Sequence, residues 1–262
     1  MNKFISYTDY KNILNETYDS FQELKILAKD IFDEFSKTVK IEGTRSKFYT
    51  RAKKDQLYYI KRLVKRKFKV IDEFVNSAIG IIVYTEGNNF SRGSYVQPDD
   101  YDELENVGKS LKELRQIYPN GIIVIYKLDI NVILHELTHA YDDFRAEGKL
   151  LNTKLGRSLG KKVDKFNAMS SSQEKDKFLN GPYMQTYYRT PHELSAFFSK
   201  TMNSINFFSD KNEMYLRDFR DVYDDFIENF QGYQFLTPKD RKMLARKFSQ
   251  YYYRIKEKNT EE

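Results

Sequence analysis

The chain has 262 residues, 40% of them apolar and 31% charged, with 20 Phe and 21 Tyr. That is ample material for a packed core and argues against wholesale disorder. Cys is absent, which excludes disulfides, iron–sulfur clusters, thiolate zinc sites and a Cys nucleophile. The net charge of +6 admits acidic partners but does not by itself make a nucleic-acid binder.

Residues 1–12 lack the apolar run of a secretory signal, so the expected compartment is the cytoplasm, with the virion or export by a non-signal route as the other openings. No run approaches the roughly 18 apolar residues of a membrane span. Ile13, Tyr18, Phe21, Leu24, Leu27, Ile31 and Phe35 recur at helical spacing and predict a helix over 9–38. A second helix is expected over 51–76, where Leu57, Ile60, Val64, Phe68, Ile71 and Val75 step by three or four. Residues 78–85 are short, apolar and β-branched and read as a strand. A polar loop follows, with room for a short strand at 94–97, and then a helix over 102–117. Pro119-Asn120-Gly121 is a turn, and 121–126 is the second clear strand. Asp129 is placed to cap a helix over 130–147 that Gly148 stops. Residues 148–185 are polar and irregular, and 190–208, 214–230 and 238–256 read as three more helices. The order predicts an α+β fold with a small mixed sheet. It divides into an N-terminal helical region, 1–77, and a second domain, 78–262, that ends in helices.

His135-Glu136-Leu137-Thr138-His139 fits H-E-x-x-H, and the chain has three His in all. Residues i and i+4 sit one turn apart on one helix face, so two imidazoles can reach one zinc ion at about 2.0–2.1 Å. Glu136 lies roughly 100° around the helix. It is too displaced to be an equivalent ligand, but it can take a proton from a water on the metal. His135, His139 and Asp142 fall within about 60° of one another, with Ile133, Leu137, Ala140 and Phe144 on the opposite side. One face can pack while the other meets a cleft.

Zinc needs a third protein ligand, and without Cys the choices are Asp, Glu and His192. Glu193 and Ala196 open a helical segment, where a carboxylate can be aimed at a neighbouring helix. Thr190-x-x-Glu193 with Pro191 also fits a capping box; a Glu can serve both purposes. Asp142 or Asp143 can instead orient an imidazole from behind.

The run His135 to Ala140, followed by an acidic residue, resembles the active-site helix of gluzincin metallopeptidases such as the thermolysin family. Glu193-x-x-Ala196 looks like the E-x-x-A variant of their third-ligand helix, seen in small phage and bacterial peptidases. The resemblance covers two short segments, roughly 30 residues. It implies a zincin-like fold with the sheet beside the H-E-x-x-H helix. It also implies Zn2+ held by His135, His139 and Glu193, with Glu136 as general base hydrolysing a protein or peptide substrate. The sequence departs from that pattern in several places. Glu193 follows His139 by 54 positions, Phe197 stands where thermolysin-like enzymes have Asp, and no His follows His192. Asp142 and Arg145 also break the metzincin extension of the motif. Because the oxyanion-holding His is missing, Tyr188, Tyr187 and Arg189, just before Glu193, become candidates for that role. Zincins pair an extended peptide with a strand edge beside the active-site helix. Residues 121–126 are either that edge or an interior strand, and 81–84 are the other candidate.

Finally, 51–69 holds nine Lys or Arg and one acid, Asp55. As a helix it offers either a solvated face or a weak site for an anionic partner. Two non-peptidase readings stay open: a catalytically silent zincin-like structural or binding protein, and a nucleic-acid-associated protein using that basic helix.

Overall fold

The computed structural model describes residues 18–42, 47–50, 57–84, 92–104, 109–147, 165, 169, 171–178, 181, 183–205 and 216–260. The chain divides into two units, one of residues 19–148 and one of 149–262 with 1–18. The fold is mixed α+β.

In the first unit, helix α1 (Tyr18–Thr38) buries Phe21, Leu24, Leu27, Ala28, Ile31 and Phe35 along the predicted stripe. Residues 9–17 of that prediction lie outside the described residues. An antiparallel pair follows, β1 (Val39–Glu42) with β2 (Lys47–Thr50).

The helix expected over 51–76 is corrected. Residues 51–56 lie outside the described residues, and the remainder is broken. Strand β3 is Tyr58–Tyr59, helix α2 is Ile60–Leu63 and helix α3 is Asp72–Asn76, with extended backbone at Val64. Long-range bonds outcompete the local pattern. Tyr58 and Tyr59 pair with a strand. The Glu23 carboxylate of α1 accepts from the backbone N–H of Lys69, Val70 and Ile71 at 2.9, 2.8 and 3.0 Å. The apolar positions are still used, since Ile60, Phe68, Ile71 and Val75 are buried.

The sheet is completed by β4 (Gly80–Val83), β5 (Gly93–Val96) and β6 (Ile122–Ile125), in the order β3-β4-β6-β5. Strands β4 and β6 are parallel; β3 and β5 run antiparallel to their neighbours. All four residues of β6 are fully buried, as a strand covered on both faces requires. The helix expected over 102–117 is shorter than predicted. A 3-10 turn spans Pro98–Glu103, and helix α4 (Leu111–Ile117) starts at a capping box of Ser110 with Glu113. Residues 105–108 lie outside the described residues.

Alternation divides the sheet's faces. Ile82, Val96, Ile122 and Val124 join Tyr101, Leu114 and Tyr118 in one core cluster. The opposite face meets helix α5 (Ile130–Arg145), which packs on β5 and β6. Asp129 caps α5 by accepting from the Asn131 N–H at 2.8 Å, and Phe74 of α3 packs edge-on against Tyr141 and Phe144.

The second unit is helical where described: α6 (Ser172–Phe178), α7 (Met184–Tyr187), α8 (Pro191–Ser204), α9 (Phe219–Asn229) and α10 (Pro238–Thr260). Phe198, Phe226, Phe248 and Tyr251 form its centre, with ring centroids 4.9–5.5 Å apart. Among the described residues no helix is long and apolar enough to cross a membrane.

Candidate metal centre

Helix α5 is buried nearly all round, including the polar residues Glu136, Thr138, His139, Asp142 and Asp143. That many buried polar groups on one helix is expensive unless each is bonded or serves a ligand. Thr138 is satisfied locally, its hydroxyl donating to the Leu134 carbonyl at 2.8 Å.

The two imidazoles of the motif converge. Nε2 of His135 and Nε2 of His139 lie 3.1 Å apart, and the rings meet edge to face. Ligands at about 2.05 Å on a tetrahedral ion are separated by about 3.3 Å, so the pair already has nearly that spacing. Glu136, between them in sequence, is 5% exposed.

Asp143, one turn beyond His139, is held by strand β5 and the residue after it. The Tyr95 hydroxyl donates to Asp143 Oδ2 at 2.9 Å, and Gln97 Nε2 donates to Oδ1 at 2.7 Å. Tyr95 also lies 3.0 Å from the Asn120 carbonyl. Burial, and then the Asp143 charge, push the Tyr95 hydroxyl pKa far above its ordinary value. Asp142 is fully buried.

Glu193 stands in the first turn of α8 and is 7% exposed. The Thr190 half of the expected capping box is not formed: Thr190 makes no cap bond, and its hydroxyl donates to the Tyr187 carbonyl at 2.7 Å. The His192 side chain lies outside the described residues. His135 and His139 on α5 and Glu193 in the first turn of α8 are, among the described residues, donors of the types that could hold a metal ion.

Of the residues weighed for the oxyanion, Tyr188 is 3% exposed and wedged between Phe197 and Phe235. Burial raises its hydroxyl pKa. Tyr187 is half-buried and stacks on Tyr183. Arg189 is engaged by Asp240 at 2.9 Å. Tyr183, which no sequence signal singles out, has its hydroxyl pKa raised by burial and then by the Glu193 charge. Its nearness to Glu193 is not written in their spacing.

Of the two readings of 121–126, edge or interior strand, the interior one holds: β6 is flanked by β4 and β5. Strand β4 likewise carries β3 and β6. Among the described residues β5 is the edge strand next to α5. The basic stretch is not one helical face either. Arg66 makes a two-pronged pair with Asp30 at 2.7 and 2.8 Å, and Lys61 and Arg62 lie over the Tyr59 ring.

No family model matches the sequence, and neither the curated proteins nor the solved structures give a match.

Proposed function

We propose that the chain is a zincin-like, zinc-dependent metallopeptidase of the gluzincin type that hydrolyses peptide bonds in a protein or peptide substrate. The observation that carries this reading is the His135–His139 pair, Nε2 to Nε2 at 3.1 Å on one helix face, with buried Glu136 between them. The donor set fits zinc: two imidazoles and a carboxylate, with no thiolate in the chain. His135, His139 and Glu193 would hold the ion. When bound, such an ion lowers the pKa of water and polarises a carbonyl.

The chain's own residues supply the rest. Glu136 accepts a proton on its carboxylate from the attacking water and returns it to the leaving amine. Burial among α5 and β5 keeps bulk water from competing for that carboxylate. The outer edge of β5 offers main-chain groups to an extended substrate.

The test is zinc content and peptide hydrolysis of wild type, His135→Ala, Glu193→Ala and Glu136→Gln. The reading expects one zinc per wild-type chain, lost in His135→Ala and weakened in Glu193→Ala. Glu136→Gln should keep the metal and lose hydrolysis by at least about 100-fold. A wild type that takes up no zinc, or a Glu136→Gln protein with full turnover, overturns it.

A further inference from the structure

We propose that Gly93 is a positioning residue, and that strand β5 sets where the Glu136 carboxylate stands. The proposal rests on the reading of Glu136 as general base. Its ground is a two-point grip of β5 and the residue after it on α5. At one point Tyr95 and Gln97 hold the two oxygens of Asp143. At the other, two helical turns earlier, Gly93 lies directly against Glu136. A methyl group on Gly93 would stand 2.8 Å from Val132 Cγ1 and 3.0 Å from both Cγ and Oε1 of Glu136. Carbon atoms in contact sit at about 3.5–4.0 Å, so no side chain fits there without displacing a neighbour.

The backbone does not ask for glycine at this position. The glycines with positive φ among the described residues are Gly121 and Gly232, so alanine could adopt the Gly93 conformation. What requires glycine is the space taken by Glu136 and Val132, the close approach that an interior strand glycine often marks. The strand cannot back away cheaply, because Tyr95, Gln97 and the β6 pairing hold it. Val132 is β-branched and stiff at χ1. Glu136 has three rotatable bonds and yields first, so its carboxylate swings while the helix and its two imidazoles stay.

Gly93→Ala tests this, with Val132→Ala and the double variant beside it. Crystal structures of the metal-free proteins should show the Glu136 carboxylate moved by at least about 0.5 Å in Gly93→Ala, with His135 and His139 in place. Zinc titration should give one site with affinity within about threefold of wild type, and zinc-loaded kcat should fall at least about 30-fold with KM within about threefold. The double variant removes the 2.8 Å contact with Val132 and keeps the contact with Glu136, so its kcat should stay low. It also carries the test should the single variant fold poorly. An unmoved carboxylate in Gly93→Ala overturns the proposal. So does a double variant that regains the kcat of Val132→Ala, because packing against Val132 would then be the whole effect. If zinc-loaded wild type hydrolyses nothing, the peptidase reading fails, and the metal-free crystals still decide where Gly93 puts Glu136.

Discussion

Tyr95 has one hydroxyl proton and two acceptors, Asp143 Oδ2 at 2.9 Å and the Asn120 carbonyl at 3.0 Å. Its ring is admitted by Gly121, whose φ of 96° suits glycine and whose missing side chain would otherwise meet the ring at 2.4 Å. Tyr95→Phe keeps the ring and removes one donor from a buried carboxylate, leaving that of Gln97. It should cost about 1–3 kcal/mol, read as a lower urea midpoint with an unchanged slope. The residues around this bond divide by how visible they are in sequence. His135, Glu136 and His139 stand out because i, i+4 geometry is a local property of a helix, and the pair does converge. The parts played by Gly93, Tyr95 and Gln97 do not stand out. They come from a polar stretch and act on residues more than 40 positions away, through a pairing register that no local spacing encodes. Thr190 teaches the reverse, since its spacing to Glu193 suits a capping box that its hydroxyl does not make.

Elements held by local rules carry their signals in nearby residues, as helix α4 does at Ser110 although the expected helix over 102–117 began too early; those held by distant bonds do not. Helix α4 begins at Ser110 because Glu113 accepts from the Ser110 N–H at 2.8 Å and hydroxyl at 2.7 Å, while Ser110 Oγ accepts from the Glu113 N–H. Those bonds hold the Glu113 carboxyl below its ordinary pKa. A lowered folded-state pKa gives stability that is present above the unfolded value and lost as pH falls through the folded one. Glu113→Gln should therefore lower the melting temperature at neutral pH, and the gap to wild type should close in acid; melting at a series of pH values checks it. The segment 57–76 shows the opposite case. Its helical periodicity is real and its apolar residues are buried, yet Glu23 takes three of its N–H groups and β4 takes its tyrosines. The central place of β6 was equally hidden, because an apolar strand run reads the same at an edge as in the middle.

At the scale of the whole molecule, the α+β class was legible from element order, with strands confined to 39–125 among the described residues. Metal and stability should be linked. An ion that binds only the folded chain adds about 2.7 kcal/mol at 100 times its dissociation constant. Zinc should thus raise the melting temperature of wild type, a chelator should reverse the gain, and His135→Ala should respond to neither; calorimetry with and without chelator decides it. The sheet order has a consequence for synthesis. Strand β6 is the last of the four to be made, yet it sits between β4 and β5. Until residue 125 has left the ribosome, β5 has no strand to pair with among those described, and β4 has only the two residues of β3. The nascent chain therefore carries β5 unpaired through some thirty residues of further elongation, an interval in which a chaperone has an open strand to hold. Arrest or truncation ahead of Ile122 would leave that strand unclosed.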